Sequence, residues 1–205
     1  MNTRNVFIHL VVLFIVVFLN FNLNAQTIYN RNGALLSTTK DSYKSEVAYS
    51  NYVGLEFCEK EHFSIISGIG LMQIGEYFRP TPLNSVNAHM KYLNISSLVN
   101  YRLNIGNNKL YSGIGPSLGF RYKSWLDCSG SKIDQTIDNQ DFLTVKRTLF
   151  FNWEIGYRYT LNRLSIGAIV SYQINLTKII PKSYDGFISH GIGVFLEIGF
   201  RLKSK

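Results

Sequence analysis

Along most of the chain apolar side chains alternate one for one with small or polar ones. The stretch FFNWEIGYRY (150–159) keeps the pattern without a slip. Phe151, Trp153, Ile155, Tyr157 and Tyr159 fall on one side; Phe150, Asn152, Glu154, Gly156 and Arg158 fall on the other. A period of two belongs to a β-strand, whose successive side chains point to opposite faces. The same alternation predicts strands over 47–57, 63–77, 92–103, 110–123, 148–159, 164–177 and 188–203. A weaker segment over 27–36, with Gly33 inside it, brings the count to eight. Strands of soluble proteins usually run about five or six residues. These are nearer the roughly 9–11 residues that cross a bilayer.

The connections sort into two kinds. CEKEH (58–62), NIGNNK (104–109) and NR (162–163) are short turns, whereas 37–44, 79–89, 125–146 and 179–187 are longer and polar. Short and long alternate along the chain. That is the asymmetry of an outer-membrane barrel, with tight periplasmic turns and long extracellular loops. The pattern predicts an all-β fold, a transmembrane antiparallel up-and-down barrel of eight strands.

The two faces decide which way the barrel is turned. The last strand separates Ile192, Val194, Leu196, Ile198, Phe200 and Leu202 from Gly191, Gly193, Phe195, Glu197, Gly199 and Arg201. The strand over 110–123 sets its apolar side against Tyr111, Gly113, Gly115, Ser117, Gly119, Arg121 and Lys123. Glycine weakens a strand and covers nothing, so it is a poor choice for a water-facing side. It suits the crowded interior of an eight-stranded barrel. The apolar face, with Phe57, Phe63, Tyr101, Tyr157 and Tyr159 towards the turn ends, then reads as a lipid belt with an aromatic girdle. A soluble lipocalin-like barrel, apolar inside around a ligand, is the alternative; it leaves the glycine-lined polar face and the segregated loops unexplained.

On this reading Glu56, Arg102, Arg121, Glu154, Arg158, Glu197 and Arg201 point into the lumen. Buried charges must be paired. Glu154 and Arg158, like Glu197 and Arg201, are four residues apart, about 13 Å along a strand, so partners must come from other strands. The expectation is a structural charge network closing the lumen. A narrow gated pore in which those pairs exchange partners is the sharper alternative.

Composition adds export. Arg4, the apolar run 6–19 and Ala25 have the form of a secretory signal cleaved between Ala25 and Gln26, leaving residues 26–205 as the barrel domain. The residue directly after the cleavage point is Gln26 rather than cysteine, which argues against a lipoprotein anchor. The net charge of +8 is dispersed among turns and single strand positions, so no nucleic-acid partner is expected. Cys58 falls in a short turn and Cys128 in a long loop, at opposite ends of a band about 25 Å tall. They are expected to remain unlinked, since a disulfide needs Cα atoms within about 7 Å.

Catalytic signals are weak. HFS (62–64) matches the His-x-Ser pair of lipid-modifying barrels, but at the periplasmic end, away from the outer leaflet. His89 and His190 lie nearer the other end; Ser189 neighbours His190, but adjacent strand residues face opposite ways. No enzyme activity, catalytic residue, cofactor or metal site is expected. The GIG triplets at 68–70, 113–115 and 191–193 open no helix, and the sequons at Asn94 and Asn175 lie within strands.

Four runs, YLNISSLVNYRL, KLYSGIGPSLGFRYK, RLSIGAIVSYQINLTKI and GIGVFLEIGFRL, resemble the small outer-membrane β-barrel domain of PorT-like proteins, with Gly115–Pro116 inside a regular strand as the most telling piece. The architecture is similar to OmpX- and OmpA-type eight-stranded barrels. The resemblance implies outer-membrane lipid and lipopolysaccharide as surroundings and the barrel-assembly machinery as a partner in insertion. A component of a secretion or transport assembly is one class of role that the residues leave open. A structural or surface-contact barrel fits the residues equally well, with the loop 125–146 as the natural contact.

Overall fold

A computed structural model describes residues 27–39, 46–81, 84–130, 135–137, 147–177 and 189–202. The expected signal over 1–25 lies outside them. Nine strands follow in order: β1 (Thr27–Thr39), β2 (Glu46–Phe57), β3 (Phe63–Thr81), β4 (Asn84–Ile105), β5 (Asn108–Gly130), β6 (Gln135–Ile137), β7 (Arg147–Leu161), β8 (Leu164–Asn175) and β9 (Ser189–Arg201). Each long strand pairs antiparallel with its sequence neighbours, β5 with β7 directly, and β1 closes on β9. The result is a closed barrel of eight strands. Short β6 lies against the far end of β5, outside the barrel wall.

Closure requires the strands to tilt and their register to stagger. The row through Asn32 reaches Leu93 of β4 by way of Asn51 and Leu71. Followed the other way, through Leu196, Ala168, Tyr157 and Leu110, it reaches Leu103. The stagger is therefore ten residues. No strand edge is left open along the wall, which removes the unpaired backbone groups that a bilayer cannot hydrate.

The three short connections tighten as their sequence allows. β4 and β5 pair through Ile105 and Asn108, leaving only Gly106 and Asn107 in the turn, with Gly106 at φ +60°. β7 and β8 pair through Leu161 and Leu164 around Asn162, at φ +54°. Glycine and asparagine tolerate this left-handed region best, and two-residue hairpins need it.

At the other end the structure corrects the expected loops. Of the expected loop 79–89, residues 79–81 and 84–89 are strand: β3 runs to Thr81 and β4 starts at Asn84, with a register shift between Phe78 and Thr81. Pro80 falls within that irregularity, where the missing N–H breaks no ladder. The segment 125–146 is likewise strand in part, since β5 continues to Gly130 and is met by β6. Turn-forming residues misled the local reading, because cross-strand pairing carries the ladder through them. β3, β4 and β5 have 19, 22 and 23 residues, against 12–15 for the other strands of the wall. At about 3.3 Å per residue, these strands project as a blade past the long-loop rim.

Polarity runs as the alternation predicts. Along β7 exposed and buried residues alternate from Arg147 to Tyr159, with Trp153 and Tyr157 outside and Glu154 and Arg158 inside. The outer surface is a belt of exposed Leu, Ile, Val, Phe, Tyr and Trp reaching around the wall. So continuous an apolar surface is not compatible with water. Its few polar groups bond one another: Ser67 with Ser97 at 2.8 Å, Trp153 Nε1 with Ser112 Oγ at 3.1 Å, Asn32 with Asn30 and with Asn51. Self-satisfaction of this kind is what hydrocarbon demands of a polar side chain. The fold and the polarity of its faces are those of a membrane barrel.

Candidate functional site

The inward side chains divide the lumen into layers. Nearest the short-turn end is a chain of ion pairs in which acid and base alternate. Glu154 Oε2 meets Arg31 Nη1 at 2.9 Å, and Arg31 Nε meets Glu197 Oε2 at 2.7 Å. Glu197 Oε1 accepts from Arg158 Nε at 2.7 Å, and Arg158 Nη1 reaches Glu56 Oε2 at 3.2 Å. Glu56 lies 3.6 Å from Arg102, which bonds Glu59 at 2.6 Å. Glu59 also meets Lys109 at 3.2 Å and Arg201 at 3.8 Å. Five barrel strands contribute besides β5 and the 58–62 turn, so the chain cross-links the wall from mid-lumen to the mouth.

Aromatic rings brace it. The Arg158 guanidinium lies 4.0 Å from the Tyr29 ring centre and 4.8 Å from that of Tyr111, and donates to the Tyr29 hydroxyl. Tyr29 in turn donates to Glu56. These rings need seats. Tyr111 is paired in register with Gly156, and Tyr29 with Gly199. A Cβ on Gly156 would come within 2.3 Å of the Tyr111 ring, and one on Gly199 within 2.3 Å of the Tyr29 ring. Gly156 and Gly199 are thus partners of particular rings rather than general space-savers.

Above the ions lies a small chamber of about 50 Å³, where polar Arg31, Asn94, Asn152, Glu154 and Gln173 face apolar Leu35, Leu98 and Phe195. A volume of that order holds a few water molecules. Its wall carries a ladder in which Gln173 donates to Asn152 at 2.9 Å and Asn152 donates to Ser117 at 2.9 Å. Higher still, Met72, Ile74, Met90, Tyr92 and Phe150 form a buried apolar cluster, with Tyr92 and Phe150 edge to face at 5.9 Å. The lumen is filled twice, by ions below and by apolar side chains above.

Of the seven charged residues expected inside, Glu56, Arg102, Glu154, Arg158 and Glu197 are buried and belong to the ion-pair chain. Arg201 reaches it only at the mouth, with its side chain 22% exposed. Arg121 faces the lumen higher up: it is half-buried and paired in register with Tyr92, at the level of the apolar cluster. Lys123 is a correction. The ladder between β4 and β5 slips at Lys91/Tyr92, so that Tyr122 is an extra residue and Lys123 turns outward while Ser124 is buried. A bulge of one residue re-aims every side chain beyond it.

Three members escaped the sequence reading: Arg31, Glu59 and Lys109, the last in the expected turn 104–109. Arg31, at the centre of the chain, lies on β1, whose pattern is weakened by Gly33, Asn30 and Asn32. Glu59 lies in what reads as a solvated turn. Cys58 at φ +54° reverses the chain there, and Arg102 holds the turn by bonding the Lys60 and Glu61 carbonyls as well as Glu59. The lone inward arginine position on β1 was the one available signal.

His62 and Ser64 do not come together. The His62 ring is exposed and stacks on Tyr101 at 5.8 Å, whereas the Ser64 hydroxyl is buried and donates to Glu56. His89 stacks on Trp125 at 4.9 Å and pairs with Asp127 at 3.0 Å; His190 stacks on Tyr172. Among the described residues no group of three or more His, Cys, Asp or Glu is placed to hold a metal ion. Cys58 is an exposed free thiol, and the Cys128 backbone lies in the far part of β5, beyond the bulge.

Comparison with solved structures finds small outer-membrane barrels. Ail, the attachment invasion locus protein of Yersinia pestis, is 15% identical over 86% of this chain and 99% of its own, with a TM-score of 0.45. Neisserial surface protein A is 14% identical over 83% of this chain and 96% of its own, with a TM-score of 0.49. The outer membrane enzyme PagL is 12% identical over 82% and 97%, with a TM-score of 0.44. No family model matches the chain, and no curated protein matches it.

Likeness at this level concerns the fold alone. The ion-pair chain, the seated rings and the two-layer filling are features of this chain's own residues, and any role must be argued from them.

Proposed function

We propose that this chain is an integral outer-membrane barrel that does not conduct, and that it works through its surfaces as a structural, surface-contact component of the membrane. The reading rests on the inversion of its faces together with the filled lumen: hydrocarbon-compatible side chains outside, an ion-pair chain and an apolar cluster inside. The seven charges singled out in the sequence then divide by role. Glu56, Arg102, Glu154, Arg158 and Glu197 lock the wall, Arg201 closes the mouth, and Arg121 belongs to the upper lumen. In this reading residues 1–25 are removed on export, the tight turns face the periplasm and the β3–β5 blade stands outside. Catalysis has no part in it.

Two such roles fit these surfaces, membership of a secretion or transport assembly and a solitary adhesin-like barrel. Copurification from mild detergent separates the two: co-eluting envelope proteins in constant ratio support an assembly component, and a lone barrel overturns that part. Planar-bilayer recording tests the sealed lumen. The expected result is no conductance above background at any applied voltage. Stepwise channels would overturn the reading and restore the gated pore.

A further inference from the structure

The bulge in β5 produces an arrangement that the barrel alone does not require. It turns Lys123 outward and sets it directly opposite Lys91 of β4. Like charges directly opposite on one face of an antiparallel pair repel. Both ammonium groups lie beside the same indole, Lys91 Nζ 5.5 Å and Lys123 Nζ 5.7 Å from the Trp125 ring centre. The other face of that cluster is taken: His89 stacks on Trp125 and pairs with Asp127 at 3.0 Å. Arg147, exposed on β7 and paired in register with Phe120, adds a third outward cation.

Height along the wall gives the partner's chemistry. On β4 the outward residues are apolar or small from Leu103 to Leu93, and the next is Lys91. On β5 the outward aromatic Tyr122, 53% exposed, immediately precedes Lys123. The cations thus stand one step above the apolar belt, at the level where lipid headgroups meet the protein. A concavity of about 610 Å³ in the outer wall starts there. Lys91 and Tyr122 line one end of it; Leu71, Tyr49, Val194 and Leu196 line the rest, interrupted by Ser50, Gln73 and the mutually bonded Asn32 and Asn51. A groove that is mostly apolar, its asparagines satisfied by each other, and cationic at its upper end matches an amphiphile with acyl chain below and anion above.

We propose that Lys91 and Lys123 bind the phosphate of an outer-leaflet lipid, whose acyl chain lies in the groove between Tyr49, Leu71 and Leu196. Two ammonium groups converging on one phosphate turn a like-charge pair into charge-assisted hydrogen bonds. The inference rests on the outer-membrane reading above.

The test uses the full exported chain, folded in a zwitterionic detergent, carrying Trp153→Phe so that Trp125 is its one tryptophan. Heat-modifiable migration in gels first reports the folded barrel, so a protein that needs no detergent would sink the membrane reading itself, separately from this proposal. Bisphosphorylated lipid A, chemically dephosphorylated lipid A and inorganic phosphate are then titrated against Trp125 emission. Lipid A should bind at least about tenfold more tightly than its dephosphorylated form, the weight of one charge-assisted hydrogen bond. Lys91→Gln with Lys123→Gln should abolish that difference in a barrel that remains heat-modifiable, and Lys60→Gln at the opposite rim should leave it intact. Equal binding of the two lipids, or an undiminished difference in the double variant, overturns the proposal. Inorganic phosphate binding as tightly as lipid A overturns the lipid as its source.

Discussion

Arg158 is the most connected residue of the lumen, and its removal has a magnitude that follows from its contacts. It is buried, bonds Glu197 at 2.7 Å and Glu56 at 3.2 Å, and is held between the rings of Tyr29 and Tyr111. Arg158→Met keeps an apolar stem of similar reach and deletes the charge. Two carboxylates then lose a partner in a medium that cannot hydrate them, which costs about 3–5 kcal/mol for a buried pair. The lost ring contacts act in the same direction, at roughly 2 kcal/mol when desolvated. Residual pairing opposes both: Glu197 keeps Arg31 at 2.7 Å, and Glu56 keeps Arg102 at 3.6 Å and the Ser64 hydroxyl. The expected loss is therefore near the lower end, about 3 kcal/mol. Urea unfolding in detergent, followed by tryptophan emission and by the heat-modifiable band, reads it as a shift in midpoint at unchanged slope. Arg201→Ala is the internal control. That side chain is 22% exposed and 3.8 Å from its partner, so its loss should cost under about 1 kcal/mol. If Arg158→Met cost no more than Arg201→Ala, water would be solvating the interior carboxylates, and the packed ionic lumen would be refuted.

The outer and inner faces make opposite predictions. Leu196→Arg, on a side chain 67% exposed to the surroundings, should destabilise the barrel in lipid vesicles by about 2–4 kcal/mol if it lies near the bilayer midplane. A neutral effect there would mean that water, not hydrocarbon, faces β9. Gly156→Val should drive the Tyr111 ring from its seat, at a cost of about 1–3 kcal/mol for overpacking. Adding Tyr111→Ala should recover part of that loss in the same unfolding assay. No recovery would show that Gly156 serves the backbone rather than the ring.

Strand existence, antiparallel meander order and the orientation of the faces were legible in the sequence, because each depends on a period of two and on turn residues, both local properties. Which strands are long was not. Pro80 and Asn84 read as loop residues, yet the β3–β4 pairing runs from Phe63↔Tyr101 to Thr81↔Asn84. Backbone pairing by a neighbour outweighs the propensity of single residues. The site was legible to the same depth. Parity put Glu56, Arg102, Glu154, Arg158 and Glu197 inside, but alternation carries no information about which strand lies opposite which at what stagger.

The sequence by itself therefore determined a wall with two chemically distinct sides. Only the closed tertiary structure decided the rest, because closure and its ten-residue stagger set which inward groups share a level. That is how Arg31 of the faintest strand came to stand between Glu154 and Glu197, and how Glu59 of a turn came to cap the ionic chain. One inserted residue at Tyr122 decided the outside in the same way, by carrying Lys123 from the lumen to the lipid side. A period of two records the face of each residue; the register of a closed sheet records its company.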